Sequence, residues 1–404
     1  MIPRPRQAVI LAGGMGKRMR PLTATCPKHM LAVHGRPFLE YVLEMLREQG
    51  FERVLLLLGY LPDLTSNYVG DRAECLVTPA DWETGLRLRH ALPRLEERFL
   101  LMYCDNYWPM RFLRMWQSYL EAGEPLAQMT VYSNSDGYSR SNLAVDETGF
   151  VTRYDHTRES AGLNGVDIGY LILRRQALAG LTEENAPFEK QLYPLWAAER
   201  QLAAFTTPHR YYSVGSPDRL PLTETFFARA KTIIVDRDGV LNRRPAPGDY
   251  VRSWREWQWL DGAREGLRAL KEAGYRVLVA SNQAGIARGM VLQQNLAIID
   301  RRMKHEAEAA GGRIEAAYYC PHGWDQGCDC RKPKAGMLYE AQRDYHLDLT
   351  RTWFVGDDPR DAEAAEAAGC RYAEVSEGRS LAQVAAAILE QTEREAYREW
   401  LSVY

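Results

Sequence analysis

Two runs of the sequence place side chains at spacings suited to phosphate chemistry. In VDRDGVLN (residues 235–242) the carboxylates Asp236 and Asp238 stand one residue apart, so a strand reaching that far would turn both to one side. One carboxylate can attack phosphorus and carry it as an aspartyl phosphate, while the other exchanges a proton with the leaving oxygen. A dianionic phosphate repels a carboxylate, so such a pair requires cations: a basic side chain and a divalent ion, for which oxygen ligands favour Mg²⁺. The partners follow in order: Ser281, Asn282 and Gln283 with a hydroxyl and amides, Arg331 and Lys332 with positive charge, and Asp357 in GDDPRD with a further carboxylate. The other run is LAGGMGKRMRPLTATCPK (residues 11–28). Its Gly13, Gly14 and Gly16 would let backbone N–H groups approach a triphosphate, with Arg18 and Lys28 neutralising charge.

A third grouping is metal-binding in character. Of 7 cysteines, Cys320, Cys328 and Cys330 crowd into one short segment, while Cys26, Cys75, Cys104 and Cys370 are scattered. In a reducing compartment such clustering points to a metal, not to disulfides.

Both halves alternate apolar, β-branched runs with amphipathic stretches, the pattern of a parallel α/β sheet. QAVILAG, ERVLLLLG and RFLLMYC read as strands, and PFLEYVLEMLREQG and RFLRMWQSYLEAG as helices that stop at glycine. KTIIVDRDG, YRVLVASN and TWFVGDD read as strands ending in polar residues, where open α/β sheets build their sites. TETFFARA reads as a helix closing the first half, so the boundary is expected near residue 230. Asp361–Ala368 reads as a solvated helix, and Trp254, Trp257 and Trp259 as packing or rim residues flanking a strand. His29, His34, His90 and His209 read as surface or loop histidines.

At 404 residues the chain suits two domains of roughly 200 residues each. A formal net charge of −2 argues against a nucleic acid or an anionic membrane as partner. No apolar run reaches the ~18 residues of a spanning helix, and MIPRPRQAVILAGG lacks a signal-peptide pattern. The expectation is a cytoplasmic enzyme; no feature of the chain indicates an oligomeric state.

In these motifs, over about residues 231–375, the second half resembles the haloacid dehalogenase superfamily. DRDGVLN, SNQAGIARG and YYCPHGWDQGCDCRKPKAGM are similar to D-glycero-D-manno-heptose 1,7-bisphosphate phosphatases and the related histidinol-phosphate phosphatases. The resemblance implies Asp236 as nucleophile and Asp238 as general acid/base. It implies Mg²⁺ on Asp236, the Asp238 carbonyl and Asp357, and the substrate phosphate on Ser281, Asn282, Arg331 and Lys332. It also implies a structural Zn²⁺ on Cys320, His322, Cys328 and Cys330. Asp358 departs from a lysine found in some of these phosphatases, with Arg288 and Arg360 as candidate compensation.

Over residues 6 to about 225 the G-G-x-G-x-R…P-x-T…P-K pattern resembles sugar-1-phosphate nucleotidyltransferases, in which a sugar phosphate oxygen attacks the α-phosphorus of an NTP with Mg²⁺ bridging the phosphates. This implies Gly13, Gly14, Gly16, Arg18, Lys28, Thr84 and Gly85 on the nucleotide, and Asp105 on Mg²⁺. Three departures stand out. Ser213 replaces a second metal aspartate, Tyr154-Asp155-His156 replaces a lysine-bearing motif, and Asp167 stands about where an asparagine faces the sugar. Asp167 is the candidate replacement metal ligand and Arg158 the candidate replacement charge.

The expected architecture is α/β: two three-layer α/β domains, a Rossmann-like nucleotidyltransferase domain (1–230) followed by a haloacid dehalogenase-like domain (231–404). The expected enzyme removes the C7 phosphate of a heptose 1,7-bisphosphate and transfers a nucleotidyl group to the sugar 1-phosphate, from GTP if the sugar is the α-anomer. The alternatives are a phosphatase with a degenerate nucleotide-sugar-binding or scaffolding domain, and the same two activities on another polyol or cyclitol bisphosphate.

Overall fold

The computed structural model describes residues 3–403, and side chains through residue 395. The chain divides into two compact units, Met1–Ala228 and Arg229–Tyr404.

The first unit is built on a seven-stranded sheet: β1 (Gln7–Ala12), β2 (Arg53–Leu58), β3 (Glu74–Val77), β4 (Arg98–Tyr103), β5 (Ala127–Tyr132), β6 (Val166–Arg174) and β7 (Leu202–Thr207), in the spatial order β7-β5-β6-β4-β1-β2-β3. Its helices are α1 (Phe38–Glu48), α2 (Pro62–Val69), α3 (Thr84–Ala91), α4 (Phe112–Glu121), α5 (Phe188–Ala198) and α6 (Leu220–Phe227). Along β1 the side chains alternate: Ala8, Ile10 and Ala12 join the core beneath α1, α4 and α6, while Val9 and Leu11 join the core beneath α3 and α5. Burial on both faces explains the continuous apolar run, and the result is three layers.

The sheet is mixed where a parallel one was expected, because β6 runs antiparallel to both β4 and β5. The cause lies in the connection. The chain passes from β5 to β6 through a small antiparallel hairpin of Leu143–Val145 and Val151–Tyr154, without the crossover helix that parallel neighbours need.

The second unit is a five-stranded, all-parallel sheet of β8 (Thr232–Val235), β9 (Arg276–Asn282), β10 (Ala316–Cys320), β11 (Trp353–Gly356) and β12 (Arg371–Glu374), in the order β10-β9-β8-β11-β12. Helices α7 (Ala263–Glu272), α8 (Gln293–Ala309) and α11 (Leu381–Val403) cover one face, and α9 (Gly336–Tyr345) and α10 (Pro359–Ala368) cover the other. Helix α10 is not a solvated helix. Asp361, Ala364, Ala365 and Ala368 are buried along its inner side, because small residues let it lie close against Phe354 of β11. The tryptophans flank no strand: Trp254 begins a short 3₁₀ turn, stacks on Trp257 at 5.2 Å, and Trp257 meets Trp259 edge-on. No helix among the described residues is long and apolar enough to cross a membrane.

Candidate active sites

In the second unit, β8 ends at Val235, and the chain turns at once, with Leu241 N donating to Arg237 O at 2.9 Å. Asp236 and Asp238 therefore sit beyond the strand. It is the turn, not strand alternation, that brings both to one cavity of about 440 Å³. Ser281 and Asn282 at the end of β9, Arg331 and Lys332, and Asp358, Arg360 and Asp361 at the start of α10 line the same cavity. Asp357 stands directly behind, one residue past β11. These are the carboxyl ends of adjacent parallel strands, with β8 at the point where the chain order reverses.

The charges are tightly arranged. The Lys332 ammonium is buried and donates to Asp236 Oδ1 at 2.9 Å, Asp361 Oδ1 at 2.7 Å and the Ala280 carbonyl at 2.9 Å, which uses all three of its protons. Burial pushes the Asp236 carboxyl up to about 7, with the Asp361 and Asp238 charges adding to the effect and Lys332 opposing it. Asp238 behaves oppositely. Burial would raise it, but two hydrogen-bonding nitrogens of Arg237, the Asn242 amide at 2.9 Å and the Gln283 amide at 2.8 Å hold it ionised below the usual range. Arg237 is itself fully buried. Asn282 exchanges two hydrogen bonds with the Lys332 backbone, each 3.0 Å, and so joins the hydroxyl-amide strand end to the Arg-Lys segment.

Asp236, Asp357 and Asp361 bring carboxylate oxygens within 4.8 Å of one another. Burial, reinforced by Asp361, raises the Asp357 carboxyl to about 6 against the pull of Arg244 and Lys332. An Arg244 nitrogen lies 3.0 Å from Asp357 Oδ1 without hydrogen-bond alignment, which leaves that buried oxygen without a hydrogen-bond partner. Gly239, at φ +99°, leaves the space this carboxylate fills, and a Cβ there would collide with it. A buried carboxylate oxygen with an ion pair but no hydrogen bond, among crowded acids, fits a hard divalent cation. Asp361 and Arg244 were not singled out in the sequence. The carboxylate of Asp361 was hidden in the alanine-rich run, and Arg244 arrives through an irregular loop that has no spacing rule.

The departure at Asp358 has a structural outcome. It caps α10 with a capping box, accepts from Arg360, and lies 3.1 Å from Arg244, so its charge is spent within the wall. Arg360 lines the cavity. Arg288 does not: it braces the rim, with its guanidinium 5.1 Å from the ring of exposed Trp324 and 3.1 Å from the Gly248 carbonyl.

Beside the cavity, Cys320 closes β10, and its register partner is Asn282. Cys320 Sγ lies 3.7 Å from both His322 Nδ1 and Cys328 Sγ, Cys330 Sγ lies 3.2 Å from His322 Nδ1, and the Cys328 and Cys330 sulfurs are 3.5 Å apart. Thiolates about 2.3 Å from one zinc ion would be separated by about 3.75 Å across a tetrahedron edge, whereas a disulfide needs about 2.05 Å. The donor set fits zinc.

In the first unit a cavity of about 570 Å³ is lined by Arg18, Asp105, Tyr154, His156, Arg158, Asp167 and Glu189, among others. Asp105, just past β4, is paired with Lys28 at 2.6 Å. Burial would raise Asp105, but Lys28 holds it below its usual value. Ser213 lies close by: its Oγ accepts from Gly215 N at 2.9 Å, and a Cβ on Gly215 would sit 3.0 Å from both that oxygen and Asp105 Oδ2. Asp167 accepts from Gly169 N at 2.8 Å and from the Tyr193 hydroxyl at 3.2 Å, and burial raises its carboxyl to about 6. Glu189, which no motif marks, is raised by burial to about 7.

Thr84 and Gly85 turn toward the start of α5: the Thr84 hydroxyl bonds Glu189 at 3.1 Å and Phe188 N at 2.9 Å, and Gly85 N donates to Ala186 O at 3.1 Å. Gly13, Gly14 and Gly16 follow β1, and Gly16 takes a left-handed φ of +59°. His29 and His209 are both buried, His209 in a loop and His29 in a short 3₁₀ turn. His29 bonds Thr65 at 2.8 Å, and burial beside Lys28 lowers its ring to about 3.

Comparison with known proteins matches two parts of the chain to two families. Residues 8–203 match the MobA-like NTP transferase domain, and residues 329–396 match the HAD-hydrolase-like domain. The D-glycero-beta-D-manno-heptose-1,7-bisphosphate 7-phosphatase of Pseudomonas aeruginosa is 42% identical over 149 residues, 37% of this chain and 83% of its own. That of Neisseria meningitidis serogroup A is 40% identical over 149 residues, 37% of this chain and 79% of its own. A solved structure of HddC from Yersinia pseudotuberculosis complexed with GMP-PN is 22% identical with a TM-score of 0.47, covering 55% of this chain and 99% of that one. The chain is thus an enzyme joining a MobA-like NTP transferase domain to a HAD-like phosphatase domain, and through the second it belongs to the family of the heptose-bisphosphate 7-phosphatases.

Proposed function

We propose that one chain performs two consecutive steps: removal of the C7 phosphate from heptose 1,7-bisphosphate, then transfer of a nucleotidyl group to the remaining 1-phosphate. The observation that carries the first step is the convergence of Asp236, Asp238, Ser281, Asn282, Arg331 and Lys332 on one cavity, in a unit whose relatives are named for that substrate. Asp236 is the nucleophile, oriented by Lys332, whose charge also offsets repulsion from the incoming phosphate. Asp238 exchanges the proton with the leaving oxygen, which requires it to leave the Arg237, Asn242 and Gln283 bonds that hold it ionised. Ser281, Asn282 and Arg331 bind the phosphoryl oxygens. Asp236, Asp357 and the Asp238 carbonyl would hold Mg²⁺, which when bound neutralises phosphate charge and lowers the pKa of the carboxylates around it. Cys320, His322, Cys328 and Cys330 would hold structural Zn²⁺.

For the second step, Gly13, Gly14, Gly16, Arg18 and Lys28 bind the triphosphate, Thr84 and Gly85 fix the base loop, and Asp105 and Asp167 are the carboxylates for Mg²⁺. His156 and Arg158 take the place of the family's lysine toward the sugar phosphate. GTP is the assigned donor through the resemblance of the glycine-rich unit, for an α-configured 1-phosphate. The relatives of the phosphatase unit are named for the β-anomer, so donor and anomer are tested together. Pyrophosphate release is measured with each of four NTPs against both anomers of the 1-phosphate. GTP with the α-anomer is expected to turn over fastest. Nucleotide binding without turnover in any combination would overturn the transferase assignment in favour of a degenerate domain, the reading that Ser213 and His156 favour. Phosphate release from a panel of sugar, polyol and cyclitol bisphosphates tests the first substrate in the same way.

A further inference from the structure

Among the described residues of the first unit Arg87 is the one buried arginine or lysine; the proposed chemistry leaves it unused, and its surroundings are unusual. It projects from α3 and is 2% exposed. Its Nε donates to Trp82 O at 3.1 Å, one terminal nitrogen to Leu58 O at 3.0 Å and to the Thr78 hydroxyl, and the other to Gly13 O at 3.3 Å and Ala80 O at 3.2 Å. A guanidinium has five N–H groups, and here five uncharged oxygens take them. No carboxylate among the described residues forms an ion pair with it; Asp81 and Glu83 act on it only from a distance.

The five acceptors come from the carboxyl ends of three adjacent parallel strands, β1, β2 and β3, and from the segment leading into α3. The guanidinium also occupies the space where a Cβ on Gly13 or on Gly59 would lie. Gly13 O accepts from Tyr60 N at 3.1 Å as well, so that carbonyl is drawn inward from two sides. Across a planar trans peptide the next N–H must point the opposite way. The Gly14 N–H therefore points away from the Arg87 guanidinium.

We propose that Arg87 is a positioning residue for the nucleotide: it fixes the glycine loop so that its N–H groups face the phosphates, and its buried charge is answered by theirs. This rests on the reading of the first unit as a nucleotide site. A buried cation without an ion-pair partner is costly, and an anion arriving directly above Gly13 supplies the missing charge. The contribution should grow with the number of phosphates, whereas a packing role would affect every ligand alike.

The test is a binding series by calorimetry on the full chain with Mg²⁺, using GTP, GDP, GMP and guanosine, repeated with the adenine series, for the parent and for Arg87→Met. The expected result is a loss of roughly tenfold or more in triphosphate affinity, the scale of a charge-assisted contact, shrinking stepwise to about twofold or less for the nucleoside. An equal loss across the series, or none, overturns the inference while leaving the nucleotide site standing. A parent chain that binds neither series overturns the nucleotide reading itself, and this inference with it. Arg87→Lys serves if the methionine variant unfolds. It keeps the charge but has only three donors, so triphosphate affinity should fall below the parent's while nucleoside affinity barely changes; a lysine variant equal to the parent overturns the positioning role.

Discussion

At the scale of single residues the phosphatase cavity is a balance of few charges. Asp236→Asn removes the nucleophile and should lower phosphate release by a factor of about 10³ or more, read with inorganic phosphate detection; retention of full activity would remove Asp236 from its assigned role. Gly239→Ala should be nearly as damaging, because a Cβ at φ +99° both strains the turn and displaces Asp357. A third expectation concerns protons. Asp236 and Asp357 are acids raised to about 7 and about 6, so the metal-free chain binds more protons folded than unfolded across that window. It therefore loses stability as pH rises through it. Mg²⁺ binds the ionised forms, so its affinity should strengthen from about pH 5 to about pH 8, measured by calorimetry; a flat profile would separate these acids from the metal. The sequence exposes Asp236, Asp238, Ser281, Asn282, Arg331, Lys332 and Asp357 because fixed spacings carry them. Arg237, Arg244 and Asp361 escape, since their roles arise from a buried turn, an irregular loop and a helix start that only packing defines.

At the scale of elements, the sites depend on how strands end. Helix α10 begins with Asp358 as its cap, and Asp361, one turn on, accepts from the backbone N–H groups of Asp357 and Asp358 at 3.2 Å each. Asp358→Ala should cost about 1 kcal/mol in an unfolding titration and should also weaken phosphate release, because Arg244 loses one of its two carboxylates. The cysteine-histidine loop is joined to β10, whose end pairs with the end of β9 that carries Ser281 and Asn282. Cys328→Ser should remove about one zinc per chain by metal analysis, and unchanged content would refute the ligand set. Strands and helices of both units are legible from their periodicity, because burial on both sheet faces leaves long apolar runs. The reversal of β6 is not, since direction is set by the absence of a crossover helix and not by composition. The strand expected near Trp257 is replaced by a turn, as three indoles packing on one another do not need an extended backbone.

At the scale of the whole molecule, two catalytic units lie in series on one chain. With only the bisphosphate and an NTP supplied, the parent should form nucleotide sugar, read by chromatography. Asp236→Asn should form none until the 1-phosphate is added directly, and Asp105→Asn should stop at the 1-phosphate. Nucleotide sugar formed by Asp236→Asn from the bisphosphate would break the proposed order. Helix α6 closes at Phe227 and β8 opens at Thr232, so a handful of residues carries the chain from one unit to the other. Because both units lie on one chain, they are always synthesised in equal number, and no change in expression can favour one over the other. On the proposed reading, expression then cannot tune how much 1-phosphate stands free, and the relative rates of the two units become the quantity that can.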